Sequence, residues 1–207
     1  MFSFQNLADW CKSLVCPGRR VGNDDLREDT LQPKYRWPIR RDVPQLVELD
    51  RLVAAQPWGA SEFIAHLSRR DCVGWVAGLQ HSDAIVGSVL YEFCKDHFKI
   101  CKLSVNPDFI ELGIACHLLE HVQRKLISSE TRWRIDAVVD EQELTTLQHF
   151  KAAGFTAIDV YQDYFKSEHG TCDGFLFTFD RDDAKKKFSV SLEQLNWWRG
   201  LVGSGKE

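Results

Sequence analysis

The sequence predicts an α/β (α+β) fold: a mixed, mostly antiparallel central sheet with one bulged, splayed strand and flanking helices. Three observations lead there. β-Rich runs at 73–79, 84–93 and 98–105 are joined by the short polar turns QHSD and CKDH, the pattern of antiparallel hairpins. A glycine-containing turn then feeds a helix with a clean apolar stripe at Ile114, Leu118, Leu119, Val122 and Leu126. In the third run the even-numbered Phe98 and Ile100 give way to the odd-numbered Leu103 and Val105. Period-2 alternation therefore slips by one residue near Cys101-Lys102, and a β-bulge is the simplest account.

The elements follow in order. Residues 1–33 read as an arm: Phe4, Leu7, Trp10, Cys11 and Leu14 stripe a short helix, and PGRRVGNDDLREDTLQP is a polar linker punctuated by Pro and Gly. YRWPI (35–39) is a first strand. In RDVPQLVELDRLVAA, Asp42 stands as a cap and Val43, Leu46, Leu49 and Val53 form the apolar face of a helix. Pro57-Trp58-Gly59 interrupts it, and a second short helix covers 61–68. After the hairpins and the striped helix, TRWRIDAVV (131–139) is a strand. ELTTLQHFKAAGF is a helix closing on Gly154, a left-handed terminator. TAIDVYQDYF and GFLFTFD form a last hairpin across KSEHGTCD. The order is β-α-α-β-β-β-α-β-α-β-β, without an internal repeat. Residues 181–207 form a tail, charged at first and then carrying Trp197 and Trp198, which predict docking on the chain's own domain or on a partner.

Composition excludes several classes. A net charge of -4 over 207 residues argues against a nucleic-acid surface, and no run approaches the ~20 apolar residues of a membrane span. The N-terminal stretch lacks a basic start and is broken by Gln5, Asn6, Asp9 and Lys12, unlike a secretory signal. Seven cysteines with no C-x-x-C pair indicate neither a zinc site nor a disulfide framework. The expectation is a cytoplasmic protein with no metal.

VNPDFIELGIACHLLEHV (105–122) has the length and glycine placement of a phosphate-cradling loop, yet carries Glu111 and no basic residue before the helix. Together with Pro57-Trp58, LSVNPDF, AAGF and DYF, in that order and spacing, it makes residues 34–180 resemble the GNAT acyltransferases. The pattern is closest to the bacterial ribosomal-protein alanine N-acetyltransferases. The resemblance implies acetyl-CoA as co-substrate and an amine acceptor, a protein N-terminus or a small molecule. Main-chain groups of Leu103, Ser104 and Val105 would pair with the pantetheine arm. The loop Ile110, Glu111, Leu112, Gly113, Ile114, Ala115 and Cys116 would hold the pyrophosphate on its amides at a helix N-terminus. Pro57, Trp58, Tyr164 and Phe165 would face the acceptor.

The family positions also show departures. Ile110 stands where the family has Arg or Gln, and Glu111 puts a negative charge beside a negative ligand. Phe150 replaces the tyrosine that protonates the leaving thiolate, Glu143 an asparagine, and Val138 the glutamate base. Asp136 shares the strand face of Val138 by parity and reads either as a substitute base or as a polar strand residue. His149 reads as a helix-surface residue. Two functions follow: an acetyl-CoA-dependent N-acetyltransferase, or a degenerate module of the same fold that binds acyl-CoA or a protein partner without turnover.

Overall fold

The alternating runs and striped helices assemble into one sheet with helices on both faces. A computed structural model describes residues 33–79, 84–167 and 170–186. The strands are β1 (Pro33–Arg36), β2 (Cys72–Leu79), β3 (Ile85–Phe93), β4 (His97–Val105), β5 (Arg134–Asp140), β6 (Thr156–Ser167) and β7 (Gly170–Asp180). The helices are α1 (Val43–Val53), α2 (Ala60–Leu67), α3 (Ile114–Ile127) and α4 (Leu144–Ala152), with 3-10 turns at Arg40–Asp42 and Pro107–Leu112. The sheet order is β1-β2-β3-β4-β5-β7-β6. Every neighbouring pair is antiparallel except β4 and β5, which run parallel with α3 as their crossover.

Hydrophobic burial fixes the two layers. α1 and α2 place Leu46, Leu49 and Phe63 against Val76, Ile85 and Leu90 on one face. α3 and α4 cover the other face, where Leu118, Val122 and Phe150 meet Ile100, Ile135 and Phe177. All five stripe residues of α3 are fully buried, and each such side chain stabilises the fold by roughly 1.5–3 kcal/mol. Gln123, also buried on α3, donates to Ala153 O at 2.9 Å and ties the two helices together.

The bulge lies where the alternation slips. Leu90 pairs with Lys102 and Tyr91 with Ile100, so Cys101 is the extra residue of β4. Some boundaries differ from the sequence reading. β1 begins at Pro33 and ends at Arg36, because Asp42 draws the next residues into a turn: its carboxylate receives Arg36 Nη1 at 2.5 Å, Arg36 Nη2 at 2.9 Å and Ile39 N–H at 2.8 Å. Asp42 precedes α1 without a side-chain bond to that helix. The last hairpin is longer than expected, since Lys166↔Thr171 and Ser167↔Gly170 extend its pairing. Gly154 does end α4, at φ +94°. Residues 181–186 are helical and Ala184 is buried, with Arg181 N–H donating to Trp133 O at 2.7 Å. The rest of the tail, with Trp197 and Trp198, and the arm over 1–32 lie outside the described residues. Cys72, Cys94, Cys101, Cys116 and Cys172 are free thiols.

Candidate active site

The extra residue in β4 sets the site. Pairing between β4 and β5 runs from His97↔Arg134 to Ile100↔Ala137, and among the described residues β4 has no partner on that side afterwards. A bulge adds twist and bends its strand, and here the two strands part directly beyond it. They leave an open cleft between them. Lys102 and Leu103 line one wall, Val138 and Asp140 the other, with Glu143, Phe150 and Phe165 closing round them. Leu103, Ser104 and Val105 lie beyond the last β4–β5 pair and are buried, with Leu103 lining the cleft.

The loop after β4 is built by local hydrogen bonds. The Asn106 side chain accepts from Asp108 N–H at 3.0 Å, and Ile110 O accepts from Gly113 N–H at 3.0 Å. Gly113 adopts φ +66°, ending the 3-10 turn and starting α3 in one residue. Glycine is required there for its backbone conformation rather than for space, since a Cβ would meet only His117 Nδ1 at 4.0 Å. His117 N–H to Gly113 O at 3.1 Å closes the first turn of α3, and helix geometry leaves the amides of that first turn without intrahelical acceptors. Glu111 is exposed and Ile110 largely so, whereas Ile114 and Ala115 are buried and Leu112 and Cys116 half-buried.

Sequence reading missed the polar cluster beside the cleft. Asp50 on α1 is wholly buried. Its Oδ1 receives Ser104 Oγ at 2.8 Å, and its Oδ2 receives Trp58 N–H at 2.7 Å and lies 3.1 Å from Lys102 Nζ. Lys102 Nζ also donates to Gln56 O at 2.9 Å and sits 5.8 Å from the centre of the Trp58 ring. These bonds hold the α1–α2 connection, including the exposed Pro57, against β4. Glu143 joins from the other side, accepting Ala55 N–H at 3.1 Å; burial is the main reason its carboxyl is held above the ordinary range, with Asp140 adding to the effect.

The residues expected to face the acceptor divide. Phe165 reaches the cleft. Tyr164 stays on the outer lip, 46% exposed, with its ring 5.7 Å from Tyr161. β6 causes this by setting residues 162–164 against a single residue of β7, since Tyr161 pairs with Gly174 and Phe165 with Cys172. Asp163 takes the strained φ of 52° within that irregularity. Gly174 lets β6 fold close, because a Cβ there would lie 2.7 Å from Val138 Cγ1 and 3.2 Å from Tyr164 Cβ. Phe150 is core, stacked on Phe177 at 5.6 Å, with one edge on the cleft.

Other candidates sit apart. Asp136 lies where β4 and β5 still pair, ion-paired with Arg134 Nε at 2.9 Å and away from the cleft lining. His149 is half-buried, and burial lowers its pKa. His66, Cys72 and Glu92 bring donor atoms within 4.8 Å of one another. Arg69 Nη1 already lies 2.8 Å from Glu92 Oε1, so that carboxylate has a resident cation.

A mixed sheet split beside a bulged strand, with a glycine-headed helix below the split, defines the acetyltransferase class of α/β folds. The chain belongs to the acetyltransferase (GNAT) family, whose sequence model matches residues 40–155, more than half of it. Solved structures agree at the level of the fold. The ribosomal-protein-S18-alanine N-acetyltransferase from Escherichia coli superposes with a TM-score of 0.62 at 15% identity, over 72% of this chain and 94% of that one. NAA60 of Arabidopsis thaliana in complex with acetyl-CoA gives 0.65 at 16% identity, over 73% and 99%. The spermidine/spermine N-acetyltransferase SpeG from Vibrio cholerae gives 0.59 at 13%, over 75% and 99%. The search of curated proteins finds no match. Family membership makes acetyl transfer the general class of chemistry. Among the described residues no helix is long and apolar enough to cross a membrane.

Proposed function

We propose that this protein is an acetyl-CoA-dependent N-acetyltransferase that acetylates an amine. The observation that carries the reading is the parting of β4 and β5 directly after the Cys101 bulge, which leaves the β4 edge leading to the head of α3 without a strand partner on that side among the described residues. Leu103, Ser104 and Val105 would pair with the pantetheine arm, as one strand edge pairs with another. Of the amides from Glu111 to Cys116, those other than Gly113 N–H, which Ile110 O holds, would receive the pyrophosphate, helped by the partial positive charge of the helix terminus. Glu143 and Phe150 would flank the thioester end of the arm. The acceptor would approach past Pro57, Trp58 and Phe165, with Tyr164 on the lip. Protein N-termini are one acceptor class, in line with the ribosomal-protein enzyme of the same fold; small amines are the other.

Phe150 and Val138 have no proton to exchange, so the side chains that do acid–base work in related enzymes are absent from those positions. Positioning and polarisation of the thioester still accelerate attack by an amine. General acid–base help is typically worth about 10²–10⁴-fold. The same two residues favour the second reading, a non-catalytic module that binds acyl-CoA or a partner. Titration of the chain with acetyl-CoA, followed by assay of CoA release with amines, separates them. Binding with turnover supports the enzyme, binding without turnover supports the sensor, and no binding at millimolar acetyl-CoA refutes both in favour of a partner-binding module.

A further inference from the structure

Asp140 ends β5 on the same face as Val138 and lines the cleft, yet it is only 3% exposed. Its Oδ1 receives Gln142 N–H at 2.9 Å, which fixes the carboxylate. Its Oδ2 is buried and, among the described residues, receives no hydrogen bond. Leaving a buried carboxylate oxygen without a donor is unfavourable, so the site is poised for one. The cleft's own cation does not serve, because Lys102 Nζ is committed to Asp50 Oδ2 and Gln56 O. The surroundings are acidic instead. Glu143 stands close enough to feel the Asp140 charge. Glu141, Asp173 and Asp163 continue outward: Glu141 Oε1 accepts Asp173 N–H at 3.3 Å and Asp173 Oδ1 accepts Asp163 N–H at 2.9 Å.

We propose that Asp140 is the subsite for a positively charged acceptor amine and takes a proton from it during transfer, an inference that rests on the acetyltransferase reading. The acceptor arrives as an ammonium and donates an N–H to Asp140 Oδ2. One proton passes to the carboxylate, freeing the nitrogen lone pair. That pair attacks the thioester carbonyl carbon of acetyl-CoA; the C–N bond forms, the C–S bond breaks, and the thiolate leaves. A second nitrogen proton goes to the thiolate, giving the amide and CoA thiol, and solvent takes the proton from Asp140. The acidic run from Glu143 to Asp163 favours acceptors that carry positive charge over neutral amines.

The test titrates benzylamine, an ammonium at neutral pH, and the neutral benzyl alcohol into the full chain and into Asp140→Asn by ligand-observed NMR. The parent should prefer benzylamine by roughly tenfold or more, as a charge-assisted hydrogen bond provides. Asp140→Asn should lose that preference while keeping the parent's affinity for acetyl-CoA. The variant should also melt higher, because it removes an unpaired buried charge; a purely structural aspartate would melt lower when changed. In turnover, Asp140→Asn should lose kcat/KM with benzylamine and keep it with p-toluidine, a neutral isomer that has no proton to lose before attack. Equal binding of benzylamine and benzyl alcohol to the parent overturns the proposal, whether or not the variant folds, and so does a preference retained by the variant. Failure of the parent to bind acetyl-CoA would overturn the acetyltransferase reading and the proton transfer with it, and leave the ammonium subsite standing, since the benzylamine comparison does not need the co-substrate.

Discussion

Lys102→Ala should destabilise the protein far more than loss of a surface lysine does. Asp50 is 0% exposed and Lys102 Nζ, 3.1 Å from Oδ2, is the cation paired with it. Removing the ammonium leaves a buried carboxylate with two neutral donors, Ser104 Oγ and Trp58 N–H. Breaking such a pair from one side costs about 3–5 kcal/mol. In a chain of this size each kcal/mol moves Tm by about 2–4 °C, so the melting point should fall by about 6–20 °C. Urea unfolding of parent and variant measures the loss directly. The double variant Asp50→Asn with Lys102→Met removes both charges and should recover most of it, because the interior then holds no unpaired ion. The Trp58 amide offers a local readout, since loosening of the α1–α2 connection should speed its hydrogen exchange. A loss below about 1 kcal/mol for Lys102→Ala, or a double variant no better than the single, would refute the argument that this pair carries the connection.

Gly113→Gln should abolish acetyl-CoA binding seen by calorimetry, and the φ of +66° adds about 1–2 kcal/mol of backbone strain visible as a modest drop in Tm. Glu111→Arg should tighten acetyl-CoA binding by no more than about fivefold, as an exposed charge contributes about 1 kcal/mol or less; an unchanged Kd would place the phosphates elsewhere. Burial holds the Glu143 carboxyl above its ordinary 4.5, so the folded chain binds that proton more tightly than the unfolded one and loses stability as pH rises from there. Glu143→Gln should therefore raise Tm at neutral pH and make little difference in the acid range below 4.5, checked by melts across pH. Tyr164→Phe should weaken use of the acceptor while leaving acetyl-CoA affinity unchanged, and equal kinetics on an identified acceptor would make Tyr164 a surface aromatic only.

What the sequence discloses depends on whether its signal is local. The slip from Ile100 to Leu103 is a change of parity within four residues, so it marked a bulge near Cys101-Lys102, and the parting of β4 from β5 follows from the bend. The loop was legible for the same reason: Pro107 ends a strand, and Gly113 is the residue type a left-handed helix start needs. Asp50 was hidden by a different cause. Its partners lie far along the chain, Ser104 being 54 residues away, and a lone Asp in a helix reads as solvated. A signal did exist, because Val43, Leu46 and Val47 set the buried stripe and Asp50 continues it at the seventh residue. An acid on an apolar stripe asks for a buried cation, and Lys102, next to the bulge, was available. Asp140 offers less. Parity puts it on the face of Val138, but its burial depends on how β6 and β7 pack across that face, where Gly174 admits Tyr164 and Phe165. The same packing sets the position of Tyr164. In TAIDVYQDYF polar residues blur the alternation, so nothing local marks the three-against-one irregularity at 162–164 that turns Tyr164 outward and Phe165 in. The half of the site proposed for the donor is written in backbone-directing residues close in sequence, whereas the half proposed for the acceptor is made by side chains that only tertiary packing brings together. Acceptor identity should therefore be sought in the charges on that assembled wall, beginning with Asp140, rather than in any single motif.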